Sequence, residues 1–178
     1  MTRFVVSLLA AMGMAVATAH AADPPSQAAR PETKAASTGV FLTKAGAANL
    51  FEVESGKLAI TKTQSAPVRE FAHMMVTDHG AAALEFKKAV AEAMLKAPPE
   101  MVDARQKAII DSLKAKDGAA FDRAYVETQY QAHIESLELI QAYADKGENT
   151  RMRQYAKDRL STLKKHLDHV TKLRANKT

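Results

Sequence analysis

The sequence predicts an all-α protein, an antiparallel four-helix bundle with one extra short helix, and three observations carry that prediction. From Val40 onward apolar residues recur at spacings of three and four, with no two-residue alternation long enough to argue a strand. There is no Trp, and Gly and Pro number only 7 and 6 in 178 residues, so long segments are free of helix breakers. Among the breakers that do occur, Pro67, Pro98-Pro99, Gly118 and Gly147 fall between the periodic segments.

Before the first helix the chain reads as a leader. Arg3 supplies a positive start, Phe4 to Ala19 an apolar core, and Ala19-His20-Ala21 a small-x-small cleavage site, which predicts a secretory signal peptide over residues 1–21. The apolar core is about 16 residues, shorter than the roughly 20 a membrane-spanning helix needs, and a polar, Pro-rich segment comes directly after it. No transmembrane segment is therefore expected in the mature chain, and the protein is expected to be periplasmic or secreted. Residues 22–38 combine three prolines with small polar residues and lack an apolar period, which predicts a disordered linker. The bundle domain is expected over residues 39–175.

Within that domain each helix has identifiable limits. The first is expected from Phe41 to Thr63, stopped by Gln64-Ser65-Ala66-Pro67, where Ser65 can cap the next helix. The second runs from about Ala66 to Lys96 with an inward stripe of Val68, Phe71, Ala72, Met75, His79, Ala82, Phe86 and Val90, and Pro98-Pro99 ends it. A shorter helix is expected from Glu100 to Ala115. Asp117-Gly118 breaks the chain, and a further helix is expected from Phe121 to about Lys146, where Gly147 acts as a C-terminal stop. The last is expected from about Asn149 to Leu173.

Charge and composition exclude several classes of function. The full chain carries +5, and losing residues 1–21 removes one of the 25 basic residues and none of the 20 acidic ones, leaving +4. The basic residues are interleaved with acids along the helices, which describes a solvated surface and not a nucleic-acid groove. With no cysteine there is no disulfide, covalent c-type haem or thiol nucleophile. No Gly-rich phosphate loop and no Ser/His/Asp grouping is present, so no catalytic residue is assigned. The methionines Met74, Met75, Met94, Met101 and Met152 read as core filler in preference to copper or haem ligands, and nothing singles out a Met and His pair for a b-type haem across the bundle.

The histidines hold the chemistry. His79 continues the stripe through Phe71, Met75, Ala82 and Phe86; His133 lies in the series Val126, Tyr130, Leu137, Ile140 and Ala144; His166 stands three after Leu163 and four before Val170. The first helix adds Glu52 to a stripe of Phe41, Ala45, Ala48, Ser55 and Ala59, whose small residues let a neighbouring helix approach closely. Each of four helices thus offers one polar, metal-competent group to the interior. An ionised carboxylate buried there without a partner is costly, so Glu52 must be paired, neutralised or bound to a cation. Imidazoles and a carboxylate suit a transition-metal ion, and bundle cores are a common place for one. The metal set is Glu52, His79, His133 and His166, with Asp78 as a supporting partner for a histidine. A second reading stays open, in which these residues satisfy one another as a buried polar network in a non-enzymatic envelope stress or interaction protein, with an envelope partner or a second copy as its contact.

Two other histidine arrangements carry less. Glu70-Phe71-Ala72-His73 is a literal Glu-x-x-His, but Glu70 and His73 share a face with Thr77, Gly80 and Lys87, so the motif is expected to face water. Tyr130 and Leu163 stand where a di-iron bundle would need carboxylates three residues before His133 and His166. His169 lies one turn after His166 and has two readings, a second ligand to an ion shared with His166 or a surface residue near the C-terminal end of its helix, where a positive charge suits the dipole.

The segments Glu52-Val53-Glu54-Ser55-Gly56-Lys57-Leu58-Ala59, Met75-Val76-Thr77-Asp78-His79, Phe121-Asp122-Arg123-Ala124-Tyr125, His133 and His166-Leu167 together resemble the bacterial exported family known as domain of unknown function 4142. The resemblance spans roughly residues 38–173 and implies a ferritin-like bundle fold and export. It places the family's Glu, Asp-His, His and His-Leu at Glu52, Asp78-His79, His133 and His166-Leu167. Where the family often has Leu-Pro before the last motif, this chain has Ser161-Thr162-Leu163. The resemblance implies no activity, cofactor or substrate.

Overall fold

A computed structural model of the chain describes residues 37–176. The signal peptide expected over residues 1–21, and all of the expected linker before Ser37, lie outside the described residues. Five helices succeed one another: α1 (Thr38–Lys62), α2 (Ala66–Glu92), α3 (Ala104–Lys114), α4 (Gly118–Lys146) and α5 (Thr150–Ala175). Among the described residues there is no strand, and no helix is long and apolar enough to cross a membrane.

The four long helices form the bundle, and their order around its axis is α1, α2, α5, α4. All neighbours run antiparallel. The start of α1 meets the end of α4 where Phe41 stacks on Tyr143 with ring centroids 3.8 Å apart, and the residue after α1 meets the start of α4 where Thr63 Oγ1 donates to Asp122 Oδ1. The start of α5 meets the end of α2 through Arg151 and Glu92, 2.6 Å apart. Because α2 and α4 then point the same way from opposite corners, the chain between them must travel the length of the bundle. It does so from Ala93 to Asp117, with α3 laid against α1 and α4 on the way. One long crossover in a four-helix bundle is the ferritin-like arrangement. Short connections join α1 to α2 and α4 to α5, as the sequence implied, whereas the α2 to α4 connection is long.

Local chemistry explains where the helices stop. The end of α2 lies four residues before the expected one, and the prolines do not cause it. Met94 adopts φ 53°, the left-handed conformation usually taken by glycine. Leu95 N–H then donates to Val90 O at 3.1 Å and Met94 N–H to Ala91 O at 2.9 Å, a Schellman motif in which Leu95 also packs on the core beside Val90. Gly147 stands at the C-cap of α4 in an extended conformation, so it is not a left-handed stop. Glycine is needed there for space, since a Cβ would come within 2.4 Å of the Tyr143 ring. Ser65 is the N-cap of α2 without a capping side-chain bond, and Thr63 Oγ1 accepts the Ser65 N–H instead. The short α3 is closed by a full capping box between Asp103 and Gln106. Helix α5 runs unbroken through Ser161-Thr162-Leu163.

The interior is layered. One apolar cluster, around Phe41, Phe86, Ile140, Tyr143, Met152 and Tyr155, fills the end where α1 begins. A second, around Phe71, Met75, Leu113, Phe121, Tyr125 and Val170, fills the end where α1 finishes. Between them lies a belt of buried polar side chains, Asn49, Glu52, Ser55, His79, Gln129, His133 and His166. The small residues of α1 admit α2 closely beside this belt: a Cβ on Gly56 would sit 3.0 Å from Val76 Cγ2 and 3.1 Å from Ala72 O.

Candidate metal centre

Three helices deliver one imidazole each to the middle of the belt. His79 from α2, His133 from α4 and His166 from α5 are all buried. Their ring centroids form a nearly equilateral triangle, with His79 to His133 5.6 Å, His79 to His166 5.3 Å and His133 to His166 5.4 Å. One ring nitrogen from each lies within 4.8 Å of the others.

In every one of the three rings, one nitrogen is occupied and the other is not. His79 Nδ1 is 3.2 Å from Asn49 Oδ1, and Asn49 Nδ2 in turn donates to the Tyr155 hydroxyl at 3.2 Å. His133 Nδ1 donates to the Gln129 carbonyl at 2.8 Å. His166 Nε2 is 2.8 Å from Asp78 Oδ2, a carboxylate on the rim of the belt whose side chain is 40 % exposed. That leaves His79 Nε2, His133 Nε2 and His166 Nδ1 buried without a hydrogen-bond partner. A hydrogen bond on one ring nitrogen that fixes the orientation of the other is how metal-binding histidines are held.

Electrostatics keep the rings in the form that binds a cation. Burial depresses all three: His79 well below the usual imidazole value, His133 to about 4, and His166 downwards. For His79 the neighbouring His133 and His166 add to the effect, since two positive rings so close repel. The imidazoles are neutral at pH 7, with lone pairs available.

Glu52 is almost completely buried, and it is not part of the converging group. Its Oε1 lies 3.9 Å from His133 Nδ1, the nitrogen already donated to Gln129, so the carboxyl stands behind that ring. Burial lifts Glu52 to about 8, while a hydrogen bond from Gln129 pulls the other way. Gln129 also donates to Ser55 Oγ at 3.0 Å, and the Tyr125 hydroxyl nearby has no partner and is pushed well above its usual value by burial. Glu70 and His73 are exposed, as their face predicts, and His169 is half-buried with its ring edge-on to Phe71 at 5.4 Å.

Asn49, Gln129, Tyr155 and Arg159 were not picked out from the sequence. Gln129 stands four before His133 and Asn49 three before Glu52, so both occupy inward positions of their own helices, and a polar residue on an inward stripe was the available signal. Arg159 pairs with Glu85 at 2.6 Å while its buried Nε has no partner. A cavity of about 30 Å³ lies beside the triad, with Asn49, Asp78, His79, Tyr155, Arg159 and His166 in its wall.

Comparison with known proteins adds a family and a fold. The model of the family described as Domain of unknown function (DUF4142) matches residues 22–173. No curated protein matches the chain. Among solved structures, a "putative secreted protein DUF305" from Streptomyces coelicolor is similar with TM-score 0.65 and 12% identity, over 77% of this chain and 91% of that one. CopM in the Cu(II)-bound form is similar with TM-score 0.67 and 12% identity, over 80% of this chain and 98% of CopM. CopM in the Ag-bound form gives TM-score 0.65 and 13% identity over 79% and 97%.

Proposed function

The chain belongs to the DUF4142 family, and from that premise, which implies no activity, we propose that it is an exported bundle protein that holds one transition-metal ion on His79, His133 and His166. The observation that carries this reading is the set of three buried imidazoles, each with one nitrogen fixed by a neighbour and the other without a partner. Metal-nitrogen distances of about 2.0–2.1 Å in a tetrahedral site put ligand nitrogens roughly 3.3–3.5 Å apart, a contraction from within 4.8 Å that small side-chain rotations supply. Imidazole donors suit zinc, copper, nickel or iron, and divalent copper binds most tightly of these. CopM, a protein of the same fold, exists in copper- and silver-bound forms.

A polar network without metal accounts for the outer half of each ring only. It leaves three buried nitrogens unsatisfied, at about 1–3 kcal/mol each, a cost that an ion at their centre removes. Asp78 and Asn49 then serve as the partners that orient His166 and His79, and the neutral Glu52 lies behind His133 without adding charge at pH 7. The role this supports is metal handling in the cell envelope, by storage, sensing or protection. Export rests on the charged, apolar and small-residue pattern of residues 1–21.

The test is metal analysis by inductively coupled plasma mass spectrometry on protein purified without a histidine tag. The expected result is one ion per chain, lost in His79→Ala, His133→Ala and His166→Ala and retained in His73→Ala. Equal metal content in all four variants would overturn the reading.

A further inference from the structure

The triad is not sealed on all sides. The cavity of about 30 Å³ between α1, α2, α4 and α5 includes His79 and His166 in its wall and does not include His133. It therefore abuts one edge of the imidazole triangle. A single water needs about 10–15 Å³ of such space, so the cavity takes two or three light atoms. Much of the lining is apolar, from Ala45, Ala82, Leu139, Ile140 and Leu163.

Arg159 is the one cation in that wall. One terminal nitrogen is engaged by Glu85 at 2.6 Å, while Nε is buried and donates to nothing. Its charge is felt at His79, where it helps hold the ring neutral. A guanidinium in the wall of a small cavity beside a cation-binding site is a place for an acceptor. The opposing charge is Asp78, whose Oδ2 is already engaged with His166 Nε2 at 2.8 Å.

Resting on the metal reading above, we propose that the ion held by His79, His133 and His166 keeps a fourth position open toward this cavity, and that a small anion of up to about three heavy atoms binds there. One end of the anion donates an electron pair to the metal, and the other accepts a hydrogen bond from the Arg159 guanidinium. Three protein nitrogens with one exchangeable position describe a reactive site, whereas structural sites are closed by four protein ligands. The small volume favours the smallest anions over larger chelating ones.

The experiment uses the full mature chain loaded with one equivalent of Cu(II), with azide as the probe. Metal analysis comes first, because a chain that holds no copper fails the metal reading and this proposal with it. Where copper is bound, azide titration is expected to produce a copper–azide charge-transfer band that saturates at one azide per copper. Arg159→Met, which keeps the bulk of the side chain, is expected to weaken azide at least tenfold with copper content unchanged. Ala82→Val, which adds two methyl carbons to the cavity wall, is expected to weaken it further, and circular dichroism establishes that both variants remain helical. Copper-loaded protein that gives no azide band overturns the open position. Equal azide affinity in the native chain and both variants shows that the position faces elsewhere and overturns the assignment to this cavity.

Discussion

The two ends of the bundle and the belt between them are built on opposite principles. At the ends, Phe41 stacked on Tyr143 and Phe121 beside Tyr125 bury large apolar surfaces, and of these four rings only Tyr125 leaves a polar atom, its hydroxyl, without a partner. In the belt, Glu52, Gln129 and three histidines are equally buried, yet each retains a polar atom without a partner. The ends supply stability; the belt subtracts from it. A bundle of this length could be filled with leucine at those heights, so a layer that costs stability is the place where a function would reside.

The largest expected effect comes from the ends. Phe41→Ala removes a ring that is 1 % exposed and leaves Tyr143 unstacked, which is expected to cost about 3–5 kcal/mol. Urea denaturation measures it, and a loss below about 1 kcal/mol would mean that the ends do not dominate.

Next comes the pH dependence of the metal-free protein. The folded state lifts Glu52 to about 8 from an ordinary 4.5, so between those values the native chain holds a proton that the unfolded chain has released, and stability falls as pH rises through that range. The histidines act in reverse. Their depressed values mean that the unfolded chain takes up protons first as pH falls below about 6.5, so stability is lost on acidification. The two slopes oppose one another, and because the unfolded histidines are still half protonated at about 6.5, the opposition extends to about 7.5. From pH 6.5 to 8 Glu52 is expected to remove about 2 kcal/mol from the metal-free chain, of which the three histidines return about 1 kcal/mol, so the stability curve of Glu52→Gln is expected to rise away from the native curve by about 2 kcal/mol over that range. Parallel curves for the two chains would locate the cause of the pH dependence in another group.

His133→Leu tests the belt directly. It replaces a buried ring bearing an unsatisfied nitrogen with an apolar side chain of similar volume, so the metal-free protein is expected to gain about 1 kcal/mol. The response to metal should vanish at the same time. The native chain is expected to gain about 2.7 kcal/mol with free metal at a hundred times its dissociation constant. Calorimetry with and without Zn(II) reads both effects, and a destabilised His133→Leu that still responds to zinc would break the contrast between belt and ends.

How much of the molecule was legible in the sequence obeys the same division. The α2 stripe from Val68 to Val90 is buried as its spacing implies, because a period of 3.6 residues reports which way a side chain faces. That period is silent about height along the axis. His79, His133 and His166 meet because the α2 to α4 crossover and the α4–α5 turn set the helices at matching levels, and no residue in those segments encodes the match visibly. Glu52 illustrates the limit: its face was readable, but at its height α1 meets His133 from behind, while Asn49, one turn earlier, is the residue that reaches His79. The end of α2 was missed for a different reason, since Met94 occupies a left-handed position that sequence patterns reserve for glycine.

The smallest expected effect on stability belongs to the rim of the belt, and there the contrast is sharpest. Asp78 accepts from His166 Nε2 at 2.8 Å with its side chain 40 % exposed, so solvent screens the pair. Asp78→Asn keeps the shape and an acceptor oxygen while removing the charge, and is expected to change the unfolding free energy by less than about 1 kcal/mol. Metal affinity should respond far more. A carboxylate that accepts from a ligating imidazole fixes its tautomer and raises its basicity, and losing such a partner typically costs about 10–100-fold in affinity. Competition with a chromophoric zinc chelator measures that change beside the urea midpoint. Equal, small effects on both would reduce Asp78 to a surface partner of His166, whereas a large loss of affinity at nearly constant stability would separate what holds the fold from what holds the ion.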